Sequence, residues 1–382
     1  MGILLFTVFC IYYCIILLLR IDTDVQPHAA IAYSFAVNHD KVTPNFLYFL
    51  LVALLAGFSK YTFLYYGASV FLISAAITAK YFLNKFYIEK YTAVEKNTSA
   101  VFILSVVMLF IFCLPGLNIF TEKTFYIGQL APNVWHNSTV IFLMPFSILL
   151  FFKTYQLIFE EQRPKNLQWH ILILIILNVL IKPSFLFVLI PSAILCWGLV
   201  SIGKNEFFRS IPKLLPFFAG IIFILIEYYI IYKLNYTSSV VDKDKNSGVI
   251  ISPFEVWQYF SYSVPIAIFT SCFFPLVYLI FSKAAVLKNK LVQFAAINYM
   301  AAVAIYALFA EDGYRKFHAN FYWQVVVAAY LLFFCLLLHF INDIKFNRLS
   351  KMKQYIIGGA FILHFVWGLL YWVKIIIFNG YA

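Results

Sequence analysis

Long apolar runs closed by short polar intervals follow one another along nearly the whole chain. Hydropathy places spans near 3–20, 61–83, 99–118, 138–159, 168–182, 184–203, 214–234, 256–281, 291–310, 320–343 and 354–378. Most approach the roughly 20 residues that carry an α-helix across a ~30 Å hydrocarbon core. Inside lipid the backbone must satisfy its own hydrogen bonds, so such runs are read as helices. The pattern predicts an all-α polytopic transmembrane helical bundle of about eleven spans. One integral membrane domain accounts for 1–382: there is no internal repeat, and the longest gap, roughly 235–255, is a polar turn-rich segment.

Asn45–Phe58 is the ambiguous stretch, apolar but short, and every later loop changes side if it spans. The basic residues decide the preference. With Asn45–Phe58 kept on the side of Asp22, the loop groups 80–96, 153–165, 204–213, 283–290 and 345–353 share one face and hold 17 of the 28 Lys and Arg. Basic loops stay cytoplasmic, so Asp22 and Asp24 are expected outside. Residues 21–60 then form a first external loop with a surface helix after Pro27 and a re-entrant helix at 45–58. No basic residue precedes the opening run and no small-residue cleavage site follows it, so it reads as a retained span rather than a signal peptide.

Composition agrees with a lipid environment: 64% of residues are hydrophobic and 12% charged, against roughly 25% charged in soluble domains. Because the +12 net charge sits in the cytoplasmic loops, it calls for no nucleic-acid partner. The abundant Phe and Tyr gather near span ends, where amphipathic rings favour the headgroup zone. All six cysteines fall inside apolar runs without metal-like spacing, which argues against a disulfide framework or a zinc site. Usage rich in Lys, Ile, Asn and Phe points to an AT-rich bacterial genome, hence the bacterial inner (cytoplasmic) membrane.

The unusual polar residues collect in the external loops. Asp22 and Asp24 follow Arg20 at the mouth of the first span, and acids at a membrane boundary need water or a wet cavity. Asp24 stands where it can cap the helix that Pro27 opens, with His28 one turn further on. Asn133, Trp135, His136 and Asn137 precede the 138–159 span and, together with Ser138 and Thr139, read as a polar pocket wall; taken singly, Trp135 is a belt residue and Ser138 or Thr139 a helix cap. Asn137-Ser138-Thr139 also fits a glycosylation sequon, a weak signal so close to a membrane. Lys182, beside the helix-breaking Pro183, either snorkels to the headgroups or neutralises a phosphate. The last external loop brings Glu311, Arg315, His318 and Asn320, with Trp323 and Gln324 behind them; the guanidinium fork suits phosphate oxygens. Glu227, mid-span among tyrosines, is either a packing hydrogen bond or a proton site.

Asp22-Thr23-Asp24 directly after the first span, the spacing from Asp24 to His28 and Ala32, and the apolar Pro44–Leu51 segment behind them resemble the GT-C superfamily of polytopic glycosyltransferases. The resemblance covers roughly 40 residues and the general layout. It implies transfer of a sugar from a polyprenyl-phosphate or polyprenyl-diphosphate carrier to a glycan or lipid acceptor at the outer face of the membrane. It also implies that an acid of the first external loop, Asp22 or Asp24, acts as base or as ligand to a divalent cation (Mg or Mn). Lys182 and Arg315 match no motif of that family and are assigned to the carrier phosphate by chemistry alone. Larger members carry a soluble C-terminal domain that has no counterpart here. O-antigen and capsule repeat-unit polymerases share the substrate class and a similar span count. A flippase or transporter of lipid-linked sugars would show repeated halves and ionisable residues near mid-membrane; here they crowd the outer edge, Glu227 excepted.

Overall fold

The computed structural model describes residues 1–40, 43–116, 125–203, 207–234, 248–283 and 285–378. Its first half runs α1 (Gly2–Leu18), α2 (Val25–Tyr33), α3 (Leu47–Leu55), α4 (Thr62–Tyr91), α5 (Ser99–Val107), α6 (Phe125–Gly128), α7 (Ser138–Phe159), α8 (Leu167–Ile181) and α9 (Leu186–Gly203). There follow α10 (Phe207–Ser210), α11 (Leu215–Tyr228), α12 (Glu255–Phe260), α13 (Val264–Ser271), α14 (Phe273–Phe281), α15 (Lys290–Leu308), α16 (Trp323–Lys345) and α17 (Lys351–Ile377). Two three-residue strands, β1 (Val249–Ile251) and β2 (Phe309–Glu311), pair antiparallel with Val249 opposite Glu311. The fold is all-α apart from this ribbon. Of the turn-rich stretch expected at 235–255, residues 235–247 lie outside the described residues, as do Lys41 and residues 117 and 118 of the expected span 99–118.

Seven helical segments among the described residues are long and apolar enough to cross a membrane: Thr62–Tyr91, Ser138–Phe159, Pro183–Gly203, Phe207–Lys233, Lys290–Leu308, Arg315–Lys345 and Lys351–Ile377. The bent pair α13 and α14 makes eight if it is one span, and Gly2–Leu18 and Leu167–Ile181 are shorter apolar helices. This is the architecture of a membrane protein. Helix α16 is its axis. It is apolar on every side, the signature of a helix enclosed all round, and nearly every residue from Trp323 to Ile341 is buried. It packs mainly on α15 and also meets α7, α9, α14 and the Pro183 turn. Its residues are shared between two apolar clusters: Val325, Val326 and Ala328 belong to the one that holds α1, α2 and the start of α4, Val327 and Tyr330 onward to the one that holds much of α7, α8, α9 and α14.

Three expectations are corrected. The span read at 99–118 is helical only to Val107, and 108–116 is irregular. Irregular backbone is tolerated at membrane depth only where protein satisfies it, and remote side chains do so here. Asn133 Nδ2 donates to the carbonyls of Met108 (3.2 Å) and Ile111 (2.7 Å), and Asn84 Nδ2 to Ser105 O (3.1 Å). His364 is the third clamp: Phe112 N–H donates to its carbonyl, its Nδ1 meets Phe112 O at 2.6 Å, and its Nε2 accepts from Phe274 N–H. Second, the run 256–281 is three pieces, with a 65° bend between α13 and α14. Third, Lys80, assigned above to a cytoplasmic loop, lies buried inside the 30-residue α4, bonded to Asn133 Oδ1 with its ammonium 3.7 Å from the centre of the Tyr330 ring.

The segment behind the opening helix forms as its sequence suggests. Helix α2 begins at Val25, passes into a π-turn at Ser34–Asn38 and ends at His39, whose φ of 58° is left-handed. Helix α3 has nine residues, about 14 Å at 1.5 Å per residue, well short of a ~30 Å core. Pro183 breaks the run between α8 and α9 into a 3₁₀ turn and leaves Lys182 extended, at φ −173° and ψ 113°.

Candidate functional site

Asp24 occupies the position just ahead of α2, yet its carboxylate caps nothing there. The expected capping role is replaced by a contact made across the fold: Asn137 Nδ2 donates to Asp24 Oδ2 at 2.7 Å, and Asp24 N–H donates to His136 O at 3.1 Å. Asn137 can reach because it is itself the N-cap of α7, its Oδ1 accepting from Val140 N–H (3.1 Å) and Thr139 Oγ1 (2.9 Å). One amide thus fixes a helix terminus with its oxygen and orients a carboxylate with its nitrogen. Asp24 is half-buried and Asp22 exposed. Desolvation raises the Asp24 carboxyl above the ordinary carboxylate range, with Lys182 and the Asn137 hydrogen bond opposing and Asp22 adding to the rise.

Lys182 is the point at which distant segments meet. Its ammonium lies 5.1 Å from the centre of the Trp323 ring and within electrostatic reach of Asp24, Glu311, Arg315 and Glu227. Burial pulls it down to about 8, against Asp24 and Glu311, which favour its charge. Glu311, buried at the end of β2, anchors the other wall. Arg315 Nη2 pairs with Glu311 Oε1 at 3.2 Å, Tyr232 donates to the same oxygen at 2.6 Å, and Asn320 Nδ2 donates to Oε2. The acidic loop, the Pro183 break and the segment 311–320 therefore surround one region, although more than 280 residues separate Asp24 from Arg315.

The imidazoles contribute polarity rather than charge. His28 meets Ser138 Oγ through Nδ1 at 2.5 Å and packs edge-on against Tyr48 and Phe49. Desolvation first, then Lys182, lowers it to about 3. His136 is buried with its ring 4.2 Å from Tyr126 and 6.2 Å from Trp323, and burial followed by His28 lowers it to about 3 as well. Both rings are neutral at pH 7, so the positive charge here belongs to Lys182 and Arg315.

Other expected residues point elsewhere. Asn133 turns into the bundle to hold Lys80 and the irregular backbone. Trp135 is a core ring among Phe110, Phe112 and Tyr371, and its carbonyl accepts from Tyr13. His318 is exposed at the end of a 3₁₀ turn, and Gln324 bonds its own turn at Phe321 O. Two contributors escaped sequence reading: Tyr232, which holds Glu311, and Asn45, whose Nδ2 donates to Glu227 Oε1 at 2.6 Å. The only cue was the cluster of tyrosines around Glu227.

Among the described residues no three His, Cys, Asp or Glu side chains gather as a metal-binding group. Hard oxygen is nonetheless on offer: Asp24 Oδ1 has no hydrogen bond among the described residues, and the Asp22 side chain is exposed. No known protein family, curated protein or solved structure matches the chain.

Proposed function

We propose that this chain is an integral-membrane glycosyltransferase that moves a sugar from a polyprenyl-phosphate or polyprenyl-diphosphate carrier to a glycan or lipid acceptor at the outer face of the membrane. The observation that carries the reading is the gathering around Lys182 of a carboxylate oriented by Asn137 and a second cation in Arg315, with the exposed acid Asp22 within electrostatic reach of Asp24. In this reading α1 and α8 complete the spans, α2 and α3 lie at the outer interface, and the basic loops face the cytoplasm. The topology has about eleven spans, with 99–116 contributing a helix followed by an irregular segment.

The chemistry follows from these groups. The acceptor oxygen forms a bond to the anomeric carbon while the bond from that carbon to the carrier phosphate breaks. The electron pair leaves on phosphate oxygen, and the acceptor proton passes to the Asp24 carboxylate. Proton removal by a positioned base contributes about 10²–10⁴ in rate, and a raised carboxyl is a better-matched base than an ordinary one. Lys182 and Arg315 stabilise the leaving phosphate, where charge develops. Arg315 keeps guanidinium N–H groups beyond the one turned to Glu311. A divalent cation, Mg or Mn, fits the same acids: Asp22 and Asp24 would hold it together with phosphate oxygens, and it would supply charge neutralisation there.

Mass spectrometry of lipid-linked glycans from membranes carrying the wild type, Asp24→Asn or Lys182→Gln tests the proposal. Product is expected to fall at least about a hundredfold in Asp24→Asn. Normal product from both Asp24→Asn and Asp22→Asn chains sinks it. Unchanged glycans with a labelled solute accumulating across the membrane would instead favour transport.

A further inference from the structure

Beside the Lys182 region lies a cavity of about 990 Å³, at the upper end of the roughly 300–1,000 Å³ usual for small-molecule sites. Phe35, Phe46 and Phe58 from the first loop form one wall; Phe223, Ile226 and Ile230 of the α11 segment form the opposite one. Phe58, Phe223 and Ile226 remain exposed, so it is a groove open on one side. Such an apolar wall suits a hydrocarbon chain.

His39, Asp40, Thr43 and Glu227 are the cavity's polar lining residues, and of these only Glu227 is buried. Glu227 lines the cavity and is 5% exposed. Its Oε1 is fixed by Asn45, while Oε2 has no hydrogen-bond partner among the described residues. Leaving a buried carboxyl oxygen unmatched costs about 1–3 kcal/mol or more, which a ligand hydroxyl would recover. The cation side of the groove is marked by Lys182, within electrostatic reach of Glu227.

We propose that this cavity binds a single-chain lipid whose head group carries a hydroxyl, the chain lying along Phe223, Ile226 and Ile230 and the hydroxyl donating to Glu227 Oε2. Glu227 is then the residue that separates a hydroxyl-bearing ligand from a bare hydrocarbon chain. The assignment rests on the proposed function only for the head group lying toward Lys182; binding itself requires no transfer.

The test uses the full chain in phosphatidylcholine nanodiscs with two labelled probes, geranylgeraniol and its methyl ether, which differ in the donor proton. The alcohol is expected to bind roughly five- to tenfold more tightly, the scale of one hydrogen bond. Glu227→Leu abolishes that preference, while Glu227→Gln, which keeps a carbonyl acceptor, retains part of it. Ile226→Trp, at a half-exposed wall position where refolding is not at stake, weakens both probes about tenfold by filling the groove. Equal binding of the two probes to the wild type, the outcome for adventitious bilayer chains, overturns the proposal; so does Ile226→Trp that binds both normally. Intact preference without glycosyl transfer removes the proposed function and leaves the cavity assignment standing, and the converse result does the reverse.

Discussion

The contact between Asn137 and Asp24 joins the segment that follows α1 to α7, and exchanging its chemistry gives a decisive experiment. Asn137→Asp keeps the oxygen that caps Val140 and Thr139 but replaces the amide donor, 2.7 Å from Asp24 Oδ2, with a second carboxylate. A hydrogen bond to a charged group is worth about 1.5–3 kcal/mol. Two adjacent carboxylates relieve repulsion by retaining a proton, which adds about 1.4 kcal/mol per pKa unit that the retained proton requires. Because Asp24 is only half-buried, the expected loss is about 2–4 kcal/mol. Reversible unfolding in mixed detergent micelles, followed by tryptophan fluorescence, measures it. The double variant Asp24→Asn with Asn137→Asp restores an amide facing a carboxylate without disturbing the cap, and should recover more than half of the loss. Glycosyl transfer should not recover with it, because the base then sits on the wrong segment. A single variant within about 0.5 kcal/mol of wild type, the usual surface effect, or a double variant no more stable than the single, refutes the reasoning.

Five further outcomes are expected. Transfer activity should have an acid limb above the ordinary carboxylate range, set by the raised Asp24 and absent in Asp24→Asn, and an alkaline limb near pH 8 from Lys182 that moves upward in Lys182→Arg; pH–rate profiles in proteoliposomes check both. The raised Asp24 favours its protonated form in the fold, so its contribution to stability is present at low pH and lost as pH rises through that value, which the same unfolding assay followed across pH detects. Glu311→Gln should cost about 1–3 kcal/mol and raise KM more than it lowers kcat, because it leaves the half-buried Arg315 without its counter-charge. Asn133→Leu should cost about 2–5 kcal/mol in micelle unfolding, since the carbonyls of Met108 and Ile111 lose their donor together. Gly368→Ala should fail to accumulate as folded protein on size exclusion, because the added carbon would meet Phe110 O at 1.6 Å.

Hydropathy and the proline at 183 by themselves determined the helical class, the break at Pro183 and a short helix within Asn45–Phe58, found at Leu47–Leu55. Each depends on a local property: run length, a missing N–H, or a polar flank. The helix start near 138 was also legible, although the cap is Asn137, whose oxygen serves a backbone N–H three residues on, rather than Ser138 or Thr139. What hydropathy could not report is where a polar group goes when its partner is remote. The run 99–118 looks like a helix because nearly all its side chains are apolar; it stops at Val107, where Asn133 and His364 take over backbone hydrogen bonds. Lys80 reads as a loop cation because its burial depends on Asn133 and Tyr330, distant in sequence. Asp24 reads as a helix cap because capping is local, whereas the bond it makes reaches 113 residues away. The convergence of Asp24, Glu311 and Arg315 on Lys182 arises only once α16 is enclosed and brings its N-terminal end against the Pro183 turn, since residue types name the charges and packing alone decides which of them share a dielectric.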